Sequence, residues 1–470
     1  MAKLRDQLAQ FQSPMFRPYD DPDAPLSRPE PTEAEVREQY VAPGRPADHE
    51  LGVLFRADHE TLDDGMCRQA RLHASALSEH VPLALMSIGH RVRYGQRTYP
   101  MAGDDMLLPQ IREQIGHLRD ATIGRYVAAI YHTTIRSPQQ LRNLMMPEYA
   151  RAQADALERI LARSIIYTPW ERTTVDAEVI ELLNRMGQVW LQCEANASVF
   201  ASHGLDRDRI RLMPNAYDPA GPVAQIPVRV SNRRPERPRF YNIGKWEPRK
   251  GHHQLIGAFL TAFEPGELGA TLVIKTQHYG SWDDYPDPGE SVRYWLAQPS
   301  VKAKGWRSEN VERSLKIYDE TWTDQQIAEL HALCNIYVSA AHSEGWDYPA
   351  FDAKTADNVL VHVGYGGSED YCDSDDPRVL RTGFEPAHPQ YGWEAGATWA
   401  AYEVSDLAEA LRCGVDALVN KSKPATRRYR YDLAENFGYA AAGERMRRYV
   451  AELVRATDAE AAARMFGDNT

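Results

Sequence analysis

Apolar runs and amphipathic stretches alternate along most of this chain, and they do so in two series. In the first, LGVLFRA (51–57) predicts a strand, Gly65 a turn, and Arg71, Leu72, Ala76 and Leu77 a helix. PLALMSI (82–88), YVAAIYHTT (126–134) and RSIIYTPWE (163–171) repeat the strand signal, with helical stretches such as PQQLRNLMMPEYARAQADALERILA between them. Strands covered by helices on both faces read as continuous apolar runs, so the pattern predicts a parallel sheet. It breaks near Asp218, where PAGPVAQIPVRVSNRRPERPR has no sustained period and reads as a linker plus an entry strand. The second series runs through RFYNIGKW, HHQLIGAFLTAF, ATLVIKT, TDQQIAELHALC, NIYVSAA, PAFDAKTAD and VLVHVGY. From Glu403 onward the apolar spacing is helical.

This pattern predicts an α/β chain of two Rossmann-like, doubly wound domains facing a central cleft, with C-terminal helices. The expected divisions are an N-terminal extension at 1–48, a first domain at 49–217, a second at 218–430, and helices at 431–470 that pack back towards the first domain. The extension is polar and proline-rich and reads as an extended or partly disordered arm. A chain of 470 residues is too long for one ordinary core. Doubly wound units bind ligands at the carboxyl ends of their strands, so the cleft is where chemistry is expected.

Two segments there carry chemistry. In NIGKWEPRKGHHQLIGAF (242–259) a strand ends, Gly244 permits a tight turn, and Lys245, Arg249 and Lys250 precede a helix opened by Gly251. Backbone N–H groups, the helix dipole and three cations make a diphosphate cradle or, on the plainer reading, a solvated basic turn. In SAAHSEGWDYPAFDAKTAD (339–357) a strand runs into a loop bearing Glu344 and then a helix whose first turn bears Asp352. Gly345 lets a ligand approach the backbone, and Pro349 suits the first position of a helix. Asp352 has an ordinary capping explanation. Both acids opposite the basic turn fit a polyol joined to a diphosphate.

Together these segments resemble the donor-binding half of family-four glycosyltransferases, retaining enzymes with the GT-B fold. The family pattern is Gly-Arg-x-x-x-x-Lys-Gly, then Glu-Gly-Phe-Gly-Leu-Pro with a second Glu eight residues after the first. This chain has Gly244-Lys245 with Lys250-Gly251, and Glu344-Gly345-Trp346-Asp347-Tyr348-Pro349 with Asp352. The stretch from Ile165 to Pro219, with Pro214, Asn215 and Asp218, is similar to the family's approach to the hinge, and Gly65-Met66-Cys67 with Arg71 resembles its first loop. The likeness spans roughly residues 50–455.

The resemblance implies transfer of a hexosyl or pentosyl group from a nucleotide-diphosphate sugar, with retention and without metal or cofactor. It assigns His132, Glu344 and Lys250 to catalysis, with Lys245 and Lys250 neutralising the diphosphate. Gly65, Gly244, Arg249, Gly345, Trp346, Asp347 and Tyr348 fall in the donor site, with Asp352 at the ribose. Lys245 stands for the usual Arg, Asp347 for Gly, and Asp352 for Glu. Tyr318 and Trp322 flank the base or pack under a loop. A phosphorylase, an epimerase and a non-catalytic nucleotide-sugar binder use the same scaffold and stay open.

Charge and composition refine the acceptor side. The net charge of −12 argues against generic nucleic-acid binding. Yet Met66 to Arg163 holds 13 Arg, no Lys and 8 acids, an excess of +5. Within it, Arg91, Arg93 and Arg97 interleave with Tyr94 and Tyr99, a segment suited to phosphates and stacked bases. Arg91, Arg93, Tyr94 and Arg97 are therefore the acceptor-binding candidates, for an anionic acceptor such as a modified DNA base, or for a metabolite or glycan. The Asp-x-Asp spacings in DDYPD (283–287) and DSDD (373–376) read as loop acids rather than a metal site. The chain lacks an apolar run of membrane-spanning length, its start lacks a signal-peptide core, and its five cysteines are scattered, so a cytoplasmic protein is expected.

Overall fold

The computed structural model describes residues 48–58, 65–88, 91–94, 97–100, 109–135, 154–218, 221–226, 237–277, 285–320, 322–372, 376, 378–389, 397–419 and 433–467. The N-terminal arm, most of the linker and much of both Asp-x-Asp segments lie outside them, as do the side chains of Arg91, Arg93, Tyr94 and Arg97.

The first half forms a six-stranded sheet in the order β2-β1-β5-β6-β7-β8, every neighbouring pair parallel. Its strands are β1 (His49–Ala57), β2 (Leu83–Met86), β5 (Ile123–His132), β6 (Ser164–Thr168), β7 (Gln188–Leu191) and β8 (Ile210–Leu212). Every residue of β6 and β7 is buried, as strands covered on both faces must be. The covering helices are α1 (Gly65–Ser78), α2 (Pro109–Asp120), α3 (Ala154–Ala162), α4 (Ala177–Leu183) and α5 (Glu194–Ser202). The Arg/Tyr segment forms a separate antiparallel hairpin of β3 (Arg91–Tyr94) and β4 (Arg97–Pro100).

The second sheet has the order β11-β10-β9-β12-β13-β14, again all parallel. Its strands are β9 (Arg239–Ile243), β10 (Thr271–Lys275), β11 (Leu315–Tyr318), β12 (Ile336–Ser339), β13 (Val359–His362) and β14 (Val379–Arg381), with a small pair, β15 (Glu385–Ala387) and β16 (Trp399–Ala401), beside it. Its helices are α6 (His252–Ala262), α7 (Pro288–Ala297), α8 (Pro299–Ala303), α9 (Ser308–Ser314), α10 (Asp324–Leu333), α11 (Tyr348–Thr355) and α12 (Val404–Val419). Leu407, Leu411 and Val415 of α12 join Leu255, Ile256 and Phe259 of α6 in one core.

Two helices follow, the long α13 (Tyr439–Thr457) and the short α14 (Ala459–Phe466). Met446, Val450, Leu453 and Val454 of α13 are buried in the first domain's core beside Ala70, Ala74 and Leu77 of α1. Burial of such side chains stabilises by about 1.5–3 kcal/mol each, which fixes α13 there. The chain thus crosses between domains twice, and the crossings touch: Tyr217 bridges Gly438 and its N–H donates to Phe437 O at 2.6 Å.

Each sheet reverses strand order once, between β1 and β5 in the first and between β9 and β12 in the second. Only Ile336↔Phe240 and Tyr337↔Tyr241 pair across the second reversal. Beyond them the gap is spanned by a side chain, Asn242 Nδ2 donating to Val338 O at 2.7 Å. A crevice at the carboxyl ends of the strands is the consequence.

Candidate functional site

The β9–α6 turn builds one wall of that crevice. Gly244 N–H donates to Lys275 O at 3.0 Å, Glu247 to Lys250 form a short turn, and Gly251 opens α6 with φ of 65°. A Cβ at Gly251 would lie 2.1 Å from Ala340 O, so only glycine lets this turn close against the end of β12. That contact brings the basic turn to the acid loop. Lys250 Nζ donates to Glu344 Oε1, and Arg249 Nη1 lies 3.2 Å from the same oxygen. Burial would raise the Glu344 pKa, but Lys250 and Arg249 outweigh it and hold the carboxyl below its ordinary value.

Arg249 is the organiser rather than a free cation. It is buried, and its guanidinium donates to Ser343 O at 2.7 Å and to Glu247 at 2.6 Å, and reaches Glu171 at 3.1 Å. Glu171 belongs to the loop after β6, so this pair joins the domains; Ser343 Oγ adds a bond to Glu171 O at 2.5 Å. Lys245 is exposed at the turn's edge.

Asp347 stands at the start of α11 with φ of 61°. Its carboxylate accepts from Ala350 N–H at 3.3 Å and from Ser339 Oγ, which caps the helix. Burial, with Glu344 nearby, pushes its pKa up to about 6. Gly345 is confined, since a Cβ there would meet Gln192 Oε1 at 2.7 Å. Trp346 turns away into an aromatic cluster with Phe351, Tyr371 and Phe437. Asp352 makes its contact with the opposite domain, pairing with Arg68 Nη1 of α1 at 2.8 Å.

On the first-domain side His132 ends β5 and is 2% exposed. It stacks on Tyr167 at 4.0 Å, with His73 edge-on at 5.4 Å, and neither ring nitrogen has a partner among the described residues. Burial lowers both histidine pKa values, that of His73 to about 3, so both rings are neutral at pH 7. Around them His73 bonds Pro214 O at 3.1 Å, while Tyr167 and Gln192 donate to Asn215 at 2.8 Å each. Gly65 is the first residue of α1 and is exposed. Tyr318 ends β11 and its ring lies 5.2 Å from that of Trp322, with Lys275 Nζ 5.6 Å from the Trp322 ring.

No protein-family model matches this sequence, and neither does any curated protein. Solved structures do match in fold. HepE of Anabaena in complex with UDP aligns over 85% of this chain and 99% of its own, at 11% identity and a TM-score of 0.54. Sucrose-phosphate synthase from Thermosynechococcus elongatus covers 87% and 100%, at 12% and 0.55. An α,α-trehalose-phosphate synthase (UDP-forming) from Burkholderia xenovorans, with glucose-6-phosphate, covers 85% and 99%, at 11% and 0.52. The chain has the GT-B fold.

Within that GT-B frame the structure brings together Gly244, Arg249, Lys250, Glu344, Gly345 and Asp347. Trp346 is apart from them, and Asp352 faces Arg68 instead. Sequence reasoning missed Glu171 and Arg68. Each carried a faint signal: Glu171 follows an apolar run at a strand's carboxyl end, and Arg68 falls one turn after Gly65. Among the described residues no three His, Cys, Asp or Glu are disposed to hold a metal ion, and no helix is long and apolar enough to cross a membrane.

Proposed function

We propose that this protein is a glycosyltransferase that moves a sugar from a nucleotide-diphosphate sugar to an acceptor, with retention of configuration and without a metal. The observation that carries the reading is the meeting of Lys250 and Glu344 at the switch point between β9 and β12. A cation and an ionised carboxylate side by side suit a ligand that is anionic at one end and rich in hydroxyls at the other. The solved GT-B structures with UDP or UDP-glucose support the donor class.

In the proposed reaction the bond between the anomeric carbon and the diphosphate oxygen breaks, and its electron pair leaves with the phosphate. Lys250 and Lys245 offset the growing charge, an electrostatic contribution of several kcal/mol in a dry site, on the order of 3. The acceptor oxygen attacks the same face, and its proton passes to a leaving phosphate oxygen. Glu344 accepts from hydroxyls of the transferred sugar, and neutral His132 faces the sugar from the first domain. The basic stretch of that domain takes the acceptor.

The test has two parts. A thermal-shift panel of nucleotide sugars should raise the melting temperature with one base and one sugar. Lys250→Ala and Glu344→Ala should each lower transfer by about 100-fold or more. Near-parent rates in both variants would remove the assignment, and loss of activity with chelator would remove its metal-free part.

A further inference from the structure

Arg68 and Asp352 form a pair that joins α1 of the first domain to α11 of the second. The contact is a fork: Arg68 Nη1 lies 2.8 Å from Asp352 Oδ2 and Nη2 3.4 Å from Oδ1. The guanidinium also lies over the Tyr348 ring at 4.3 Å. Tyr348 is itself held, its hydroxyl donating to Ala216 O at 2.9 Å. Arg68 is therefore fixed on one edge by a carboxylate and on one face by an aromatic ring. Burial opposes its charge, but Asp352, Tyr348 and Asp324 outweigh that and keep it protonated.

Asp352 is nearly spent in this arrangement, with its side chain 7% exposed. Arg68 is not. A guanidinium has five N–H donors, and among the described residues only Asp352 accepts from it. Its side chain is 28% exposed. A planar fork, fixed and still holding free donors, matches the oxygens of a phosphate group. Lys250 sits with Glu344 at the loop end of this wall, while Arg68 sits beside the first turns of α11 and near Asp324 at the start of α10.

We propose that Arg68 is a donor-binding residue supplied by the first domain, and that it grips the ribose-side phosphate of a nucleoside diphosphate. This rests on the nucleotide-sugar reading of the site. Asp352 then acts as a positioning residue that aims Arg68, instead of accepting from the ribose itself. The grip exists only while the domains are together, so diphosphate binding and domain closure reinforce one another.

Calorimetric titration of the full chain with UDP, ADP and GDP, and with uridine, adenosine and guanosine, tests this. For the diphosphate that binds, Arg68→Ala should weaken affinity by about 10- to 100-fold, while the matching nucleoside changes by less than about threefold. Arg68→Lys keeps the charge near Asp352 without the fork, guards against a folding defect, and should recover only part of the loss. If Arg68→Ala binds the diphosphate as tightly as the parent, or more tightly, the inference falls. The function reading then survives provided Lys250→Ala still weakens binding. If no diphosphate binds the parent, both fall together.

Discussion

At the scale of single residues, the site is a set of buried charges that answer one another, and pH is the variable that separates them. Asp347 is the clearest case. Its carboxyl titrates near 6 in the folded chain against an ordinary 3.8. Between those values the folded chain holds the extra proton, so this residue's contribution to stability falls as pH rises from about 4 to 6 and stays at its minimum above. Asp347→Asn keeps an acceptor for Ala350 N–H and removes the buried charge. It should gain stability over the parent at pH 8 by about 1–3 kcal/mol and lose that gain near pH 4, read from denaturant unfolding at both values. An equal difference at the two pH values would show that ionisation there is not the cause. Glu344 runs the other way: burial opposes its charge, but Lys250 and Arg249 hold its carboxyl below the ordinary value, so it is ionised at neutral pH. The residue types of this site were legible in the sequence, but their partners were not. By sequence Arg249 is a third cation for phosphate, whereas in the structure Glu171, Glu247 and Glu344 surround it. Asp352 and Arg68 are 284 positions apart, and no spacing rule joins them.

At the scale of elements, strands and helices with continuous apolar faces were legible and those without were not. β6 and β7 bury every residue, so their runs stand out. The β3–β4 hairpin reads RVRY and RTYP, with Val92 its one aliphatic residue and no continuous apolar run to mark it, and β14, β15 and β16 have three residues each, too few to carry a period. The β9–α6 turn was predicted as a turn, yet its closeness to β12 depends on tertiary contact. Gly251 is where that contact can be tested. An Ala there meets both a left-handed backbone and Ala340 O at 2.1 Å. Gly251→Ala should cost about 2–4 kcal/mol in unfolding experiments and push Lys250 away from Glu344, lowering nucleotide affinity as well. Unchanged stability would mean that the turn relaxes freely and is not set by this approach.

At the scale of the whole molecule, contacts of different kinds tie the two domains. Glu171–Arg249 and Arg68–Asp352 are charge pairs across the cleft, and each involves a site residue. α13 is different, because it belongs by sequence to the chain after the second domain yet by packing to the first. Met446, Val450 and Val454 are fully buried in the core that holds β1, β5 and α1, while the second domain has its own core around α6 and α12. A cavity in α13 should therefore weaken the domain that precedes it by hundreds of residues and spare the one next to it in sequence. Met446→Ala removes a side chain with no exposed surface, and loss of such a side chain costs about 2–5 kcal/mol. Hydrogen exchange read by mass spectrometry should show faster exchange across β1 and β5, with β9 and β10 close to parent rates. Faster exchange in both sheets alike would mean that the domains unfold as one unit, and that α13 binds them together instead of completing the first. With exchange confined to the first sheet, α13 also becomes the support behind α1, and so behind the Arg68 that α1 carries into the cleft.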